Sequence, residues 1–216
     1  MTEAPYVTHP LGDSALTVSL AKTRSLTLLK KVQGAALTIR EAGLEHLEDV
    51  VPGYTTVTVF YDARHTSYAE LSPRILGLLR ENARSTSPGF AAHTIAVRYD
   101  GADLQCVAHE SGLTVVEVVG LHTGPTYTVD LLGFAPGFAY LSEIDIRLVL
   151  PRRRQPRVRV PAGSVAIAGR QTAVYPLATP GGWHLIGRTD AVLFDSTRDR
   201  PATLNPGDTV RFEALP

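Results

Sequence analysis

The sequence predicts an α+β protein of two domains, a small β-α-β-β-α-β domain over residues 1–92 and a β-rich domain over residues 93–216. Three observations carry this expectation. Helical periodicity alternates with short apolar runs through the first hundred residues. From Gly101 the texture changes to short β-like runs punctuated by glycine and proline. A chain of 216 residues with 44% hydrophobic composition is long enough for two separate cores.

Residues 14–20 (SALTVSL) alternate small or polar with apolar side chains and read as a strand. Over residues 25–42 apolar side chains recur at Leu26, Leu29, Val32, Ala36 and Ile39, steps that make one helical face, and Gly43 stops it. Residues 47–51 and 55–61, separated by Pro52 and Gly53, read as two strands joined by a turn. Tyr68, Leu71, Ile75, Leu78 and Leu79 line a second helix. A loop-like linker over 83–93 leads to a closing strand at 94–99. In this split βαβ pattern two helices cover one face of a small antiparallel sheet. Beyond it, residues 103–110 and 114–121 read as short helices. Strands are expected at 127–132, 164–168, 172–175, 184–187, 191–194 and 209–213, as in a small barrel or sandwich.

Composition excludes several function classes. The 21 basic and 21 acidic residues cancel, so no global field draws the chain to nucleic acid or to an anionic membrane. The single cysteine, Cys106, excludes an internal disulfide framework and a multi-thiolate zinc site, and fits a reducing compartment. With Leu104 and Val107 near it, ordinary packing is its expected role. The opening MTEAPYVTHP lacks the basic end and apolar run of a secretory signal, and no stretch approaches the roughly 18 apolar residues of a membrane span. A cytoplasmic protein is expected. Lys22, Lys30 and Lys31 are the only lysines, so the chain after Val32 houses neither a biotinyl-lysine nor a Schiff-base nucleophile. No GxxxxGK[ST] phosphate loop is present.

The functional signal lies between Gly133 and Thr189. Three glycine-rich loops fall there: Gly133 to Phe138, including Phe134, Pro136 and Gly137; Pro161 to Ser164, including Gly163; and Thr179 to Trp183, including Gly181 and Gly182. Glycine permits close backbone approach, proline stiffens the turn, and Phe134, Phe138 and Trp183 are suited to wall a pocket. The same loops also serve as plain barrel corners. Charge tips the balance towards binding. Arg147, Arg152, Arg153, Arg154, Arg157, Arg159, Arg170 and Arg188 fall between Ile146 and Thr189 without one Asp or Glu, an arrangement that calls for an anion. The run from Arg152 to Arg159 is too dense to be buried in one pocket and is read as solvated or partner-facing. Arg188, at a strand end, is the pocket candidate. His122 sits at a helix end, where helix-terminal and catalytic roles are both open. Gln171 is placed to contact a ligand or to cap a turn. Ser164 lacks the GxSxG spacing, and no lysine serves it, which argues against a covalent serine mechanism.

At GFAPGFAYL (133–141), PRRRQPRVRVPAGSVAIAGRQTAVYP (151–176) and TPGGWHLIGRT (179–189), the sequence resembles one family. LHTG (121–124), Leu193 to Asp195 and Pro206 to Asp208 extend the match. GDSAL (12–16) and VPGYTTVTVFYD (51–62) carry it more loosely in the first half. The family is that of the 5-oxoprolinase B component, also described as kinase A inhibitor-like or allophanate hydrolase subunit 1. The resemblance implies a cyclophilin-like β-barrel over residues 93–216. It also implies a carboxyltransferase-like C component as partner and, functionally, an A component of the LamB/YcsF type. Together these open 5-oxoproline to L-glutamate at the expense of ATP, a hydrolase reaction on a cyclic amide, with the B and C components phosphorylating the lactam. ATP and Mg²⁺ would then be held at the assembled complex, with nothing bound covalently.

On this reading a small anionic substrate contacts Phe134, Pro136, Gly137, Phe138, Gly163, Ser164, Gln171, Gly181, Gly182, Trp183 and Arg188. Arg188 pairs its carboxylate, and His122 is the general acid or base. The sequence offers no metal ligand set. Where the family reads Gln-Thr-Gly, this chain has Gln171, Thr172 and Ala173, which puts a positive φ at position 173 in doubt. Two other functions stay open: the carboxyltransferase component of a biotin-dependent urea or amide carboxylase, and a non-enzymatic inhibitor of a sensor histidine kinase.

Overall fold

The computed structural model describes residues 6–23, 25–82 and 89–216. Residues 83–88, the first part of the linker read at 83–93, lie outside them. The chain divides into two compact units, Met1–Gly89 and Phe90–Pro216. Among the described residues, no helix is long and apolar enough to cross a membrane.

The first unit is a four-stranded antiparallel sheet in the order β1 (Val7–Pro10), β2 (Ala15–Ser19), β4 (Thr56–Tyr61) and β3 (Leu47–Pro52). Its register explains the core. Leu16 faces Val59, Val18 faces Val57 and Val50 faces Val59 across the ladders, so these buried side chains share one face. Helices α1 (Leu26–Glu41) and α2 (Tyr68–Glu81) supply the other side of that core with Leu28, Val32, Ala36, Ile39, Leu71, Ile75 and Leu79. Full burial of each large aliphatic side chain contributes about 1.5–3 kcal/mol. Ser25 caps α1 by accepting from the Leu28 N–H. Ser67 and Glu70 form a reciprocal capping box on α2.

Two expectations change here. β1 is an additional strand, because VTHP has too little alternation to announce itself. The strand expected to close the series, β5 (Ala92–Val97), belongs instead to the second unit, where it pairs parallel with β13 (Thr209–Ala214). The first unit therefore runs β-β-α-β-β-α. Its sheet is complete without β5, and the partner β5 takes is more than a hundred residues away in sequence, beyond the reach of local pattern.

In the second unit, helices α3 (Leu104–Ser111) and α4 (Val115–Thr123) precede the β-rich region. One sheet runs β5-β13-β6-β7, with β6 at Thr126–Leu132 and β7 at Ala139–Leu141. A second runs β10-β9-β12, with β9 at Ser164–Ala168, β10 at Gln171–Val174 and β12 at His184–Arg188. A short pair joins β8 (Arg157–Val160) to β11 (Thr179–Gly181), and one 3₁₀ turn covers Ile146–Leu148.

The α+β class stands. The barrel is only approached, because at both places where the larger sheets meet, a single bridge replaces a ladder: Arg98 with Arg188, and Glu143 with Gln171. Among the described residues the sheets enclose a common core of side chains such as Val129, Val165, Ile167, Ile186, Val210 and Phe212 without closing into one hydrogen-bonded cylinder. Residues 191–194, expected as a strand, keep only a bridge from Phe194 to Ala202. Ala173 lies buried within β10 without a positive φ, so the strand accepts alanine there. Cys106 is exposed rather than packed; the hydrogen bond to Glu110 raises its thiol pKa, which leaves it a poor nucleophile.

Candidate functional site

A smaller apolar cluster, comprising Phe138, Val160, Ala166, Ala168, Ala173, Tyr175, Trp183 and Leu185, sits apart from the main core of the second unit. Its aromatic members form one side of a cleft of about 80 Å³. Phe138, Tyr175 and Trp183 are buried at its base, with Phe138 edge-on to Tyr175 at 5.3 Å and to Trp183 at 5.7 Å. Tyr140 follows Phe138 by two residues and so shares its face of the chain. It packs edge-on to Phe138 at 4.9 Å and tilted to Trp183 at 6.0 Å. Phe134 forms the rim, 62% exposed, and meets Phe138 at 5.2 Å. Its φ of +68° is unfavourable for a bulky residue, and the β6–β7 turn holds it there through Ala135 N–H to Gly133 C=O and Phe138 N–H to Ala135 C=O. Strain of this kind gathers at ligand sites.

Gly181 and Gly182 form the opposite lip. A Cβ at position 181 would lie 2.3 Å from the Tyr175 hydroxyl, so glycine is what lets the strand approach the ring. Burial raises the Tyr175 pKa, against a hydrogen bond from the Trp183 backbone that lowers it, so the phenol stays protonated at neutral pH. Arg152 completes the lining and is exposed at the cleft's edge. An aromatic base with one cation at its edge suits a small, flat anion whose charge lies at one end. Ligand pockets usually exceed about 300 Å³, so this cleft alone is too small to enclose a drug-sized ligand.

Of the residues expected at the site, the structure gathers Phe134, Phe138, Gly181, Gly182 and Trp183. Tyr140, Tyr175 and Arg152 were missed. The i, i+2 spacing of Phe138 and Tyr140 was the available signal for one of them. Pro136, Gly137, Gly163, Ser164 and Gln171 do not line the cleft. Gly137 is buried beneath Phe194, Gly163 lies against the Thr189 carbonyl, and Ser164 begins β9 opposite Arg188.

Arg188 lies outside the cleft lining. Its Nε and Nη2 both donate to Asp100 Oδ2, at 2.9 and 2.7 Å, on an open surface. The acids absent from the arginine-rich segment come from outside it. Arg147 pairs with Asp145, Arg170 with Glu143, and both Arg153 and Arg157 with Asp103. Asp103 is buried, and its second oxygen accepts the Leu185 N–H at 2.7 Å. Burial alone would raise its pKa. The Arg157 and Leu185 hydrogen bonds and the two guanidinium charges outweigh that and hold the carboxyl below its usual range.

His122 is not at the cleft either. It is wholly buried, stacked on Phe212 at 4.5 Å, and burial pushes its pKa down to about 3. Its tautomer follows from its neighbours. Thr172 Oγ1 donates to the Ala166 carbonyl, so it must accept from His122 Nε2–H at 2.8 Å, which leaves Nδ1 to accept from the Tyr99 hydroxyl at 2.7 Å. The neutral ring thus links the segment after β5 to β10. It lies wholly buried, away from the cleft, with both ring nitrogens hydrogen-bonded within the protein.

Residues 6–204 match the carboxyltransferase domain, subdomains C and D. The chain is 40% identical over 205 residues to the B component of 5-oxoprolinase from Escherichia coli O157:H7, covering 94% of this chain and 93% of that one. The chain belongs to the family of 5-oxoprolinase B components. The B component of Bacillus subtilis strain 168 is 37% identical, over 96% of this chain and 92% of its own. Among solved structures, TTHA0988 superposes with a TM-score of 0.82 at 36% identity over 97% of this chain. This chain spans only about two fifths of that longer one, 40% of its length. The urea carboxylase of Kluyveromyces lactis superposes with a TM-score of 0.76 over all of this chain and 22% of its own; at 16% identity it shares the fold alone.

Proposed function

We propose that this chain is the B component of an ATP-dependent 5-oxoprolinase, and that its aromatic cleft holds 5-oxoproline against Arg152. The observation that carries this is the cleft itself: a base of edge-packed aromatic rings for a five-membered lactam and one guanidinium at the edge for its carboxylate. Family membership supports the same substrate. In this reading Phe138, Tyr175 and Trp183 cover the ring and exclude water on one side, and Phe134 closes over it from the rim. The C component supplies the missing wall, and the A component consumes the activated lactam to give L-glutamate.

ATP is a co-substrate of that complex. Nucleotide and Mg²⁺ are held in this reading by the assembled complex. The test is co-purification of this chain with a C component and an assay of ATP hydrolysis. Hydrolysis that rises on adding 5-oxoproline is the expected result. A complex indifferent to 5-oxoproline, but active with a biotinylated carrier and urea, would refute the reading.

A further inference from the structure

We propose that the exposed run 152–159 is the docking surface for an acidic face of a partner protein, seated beside the open side of the aromatic cleft. The proposal rests on the reading above for the partner's identity as the C component, while the surface itself is read from four observations.

First, Arg152, Arg154 and Arg159 are exposed, and among the described residues no carboxylate lies within ion-pair distance of any of them. The other arginines of the same segment each meet an acid of this chain. Three fixed charges within eight residues repel one another over a Debye length of about 8 Å, so carboxylates from another molecule would be attracted there. Second, Val158, which lies between Arg157 and Arg159 in sequence, is 89% exposed, a larger value than for any other large apolar side chain among the described residues. An exposed aliphatic group on a strand that also carries arginines suits a protein surface better than a nucleic-acid backbone, which offers phosphates and no apolar counterpart. Third, β8 pairs only with β11 among the described residues, so its outer edge presents backbone donors and acceptors beside those side chains.

Fourth, the run is rigidly based and continuous with the cleft. Arg153 and Arg157 are anchored on the buried Asp103, and the Arg153 N–H donates to the Gly182 carbonyl at 2.8 Å on the cleft's lip. Arg152 belongs to both features. A partner seated on this run lies against the open side of a cleft too small to enclose a ligand alone.

The experiment measures the dissociation constant of the purified C component for the wild-type chain, for Arg154→Glu/Arg159→Glu and for Val158→Ser, with circular dichroism confirming that each is folded. At about 0.05 M salt the double charge reversal is expected to weaken association by about 100-fold and Val158→Ser by about 10-fold, and the wild-type affinity to fall by about 0.3 M salt. Equal affinity of wild type and the charge-reversed variant would overturn the proposal. So would a charge-reversed variant that binds the C component normally but self-associates, since the cations would then serve only to keep the edge strand unpaired. Arginine-dependent binding of a 20-nucleotide RNA with unaltered binding of the C component would overturn it as well. If wild type binds the C component through this surface but the pair ignores 5-oxoproline, the docking proposal stands and the substrate reading falls. If wild type does not bind the C component, both fall.

Discussion

Lowering the pH from 6.5 to 4.5 should cost the second unit about 2 kcal/mol through His122 alone. The ring is wholly buried, and burial holds its pKa at about 3, whereas an unfolded chain has the ordinary value of 6.5. The folded-state pKa is depressed, so the stabilisation is fully present above pH 6.5. It is lost at about 1.4 kcal/mol per pH unit as the unfolded state takes up the proton that the folded state refuses, until pH approaches 3. Urea unfolding at pH 7, 5.5 and 4.5 would measure it, with His122→Asn as the non-titrating reference. The variant is less stable at pH 7, because it loses the Phe212 stack and the Tyr99 and Thr172 hydrogen bonds, but its stability should fall less steeply between pH 6.5 and 4.5. Should the variant not fold, the wild-type imidazole can be followed directly by NMR, where its C–H resonances should hold still from pH 7 to 4.5. A titration midpoint near 6.5, or a folded variant whose turnover falls by the ~10²–10⁴-fold typical of a lost acid–base group, would refute the argument.

Other expectations follow from the same geometry. Replacing Asp103 with Ala leaves the Arg153 and Arg157 guanidiniums and the Leu185 N–H without their shared acceptor. That should destabilise the second unit by about 3–5 kcal/mol in urea unfolding. Gly163→Ala forces a side chain at φ +79° to within 2.3 Å of the Thr189 carbonyl, so a loss of about 1 kcal/mol or more is expected, read as a lowered melting temperature. Alanine at position 181 should push Tyr175 from its place. The sole tryptophan, Trp183, should report this as an altered emission spectrum in a chain that remains folded.

Much of this architecture was legible because it is local. The apolar steps through Val32, Ala36 and Ile39, and the alternation through Leu16 and Val18, state which face is buried before any partner is known. What was not legible depends on distant pairing. β5 carries an ordinary strand pattern, and nothing in it reveals that its partner is β13. The same holds at the site. Phe134, Phe138, Gly181, Gly182 and Trp183 announced themselves by aromatic–glycine spacing. Arg188 looked free only because Asp100 lies 88 residues earlier and meets it through the Arg98 bridge. Arg152 was read as surface charge, which it is, and the sequence could not show that this surface borders the aromatic cleft. His122 was correctly placed at a helix end, but its burial depends on Phe212, Tyr99 and Thr172, brought in from three other parts of the chain.

The central claim is that Arg152, rather than Arg188, holds the substrate's carboxylate beside the aromatic base. Titrating the complex of this chain and the C component with 5-oxoproline, by calorimetry and by Trp183 emission, tests it most directly. Arg152→Ala should weaken binding by about 10- to 100-fold, as loss of a charge-assisted hydrogen bond of roughly 1.5–3 kcal/mol requires, with Arg188→Ala near wild type. Unchanged affinity in Arg152→Ala, or a comparable loss in Arg188→Ala, would contradict it.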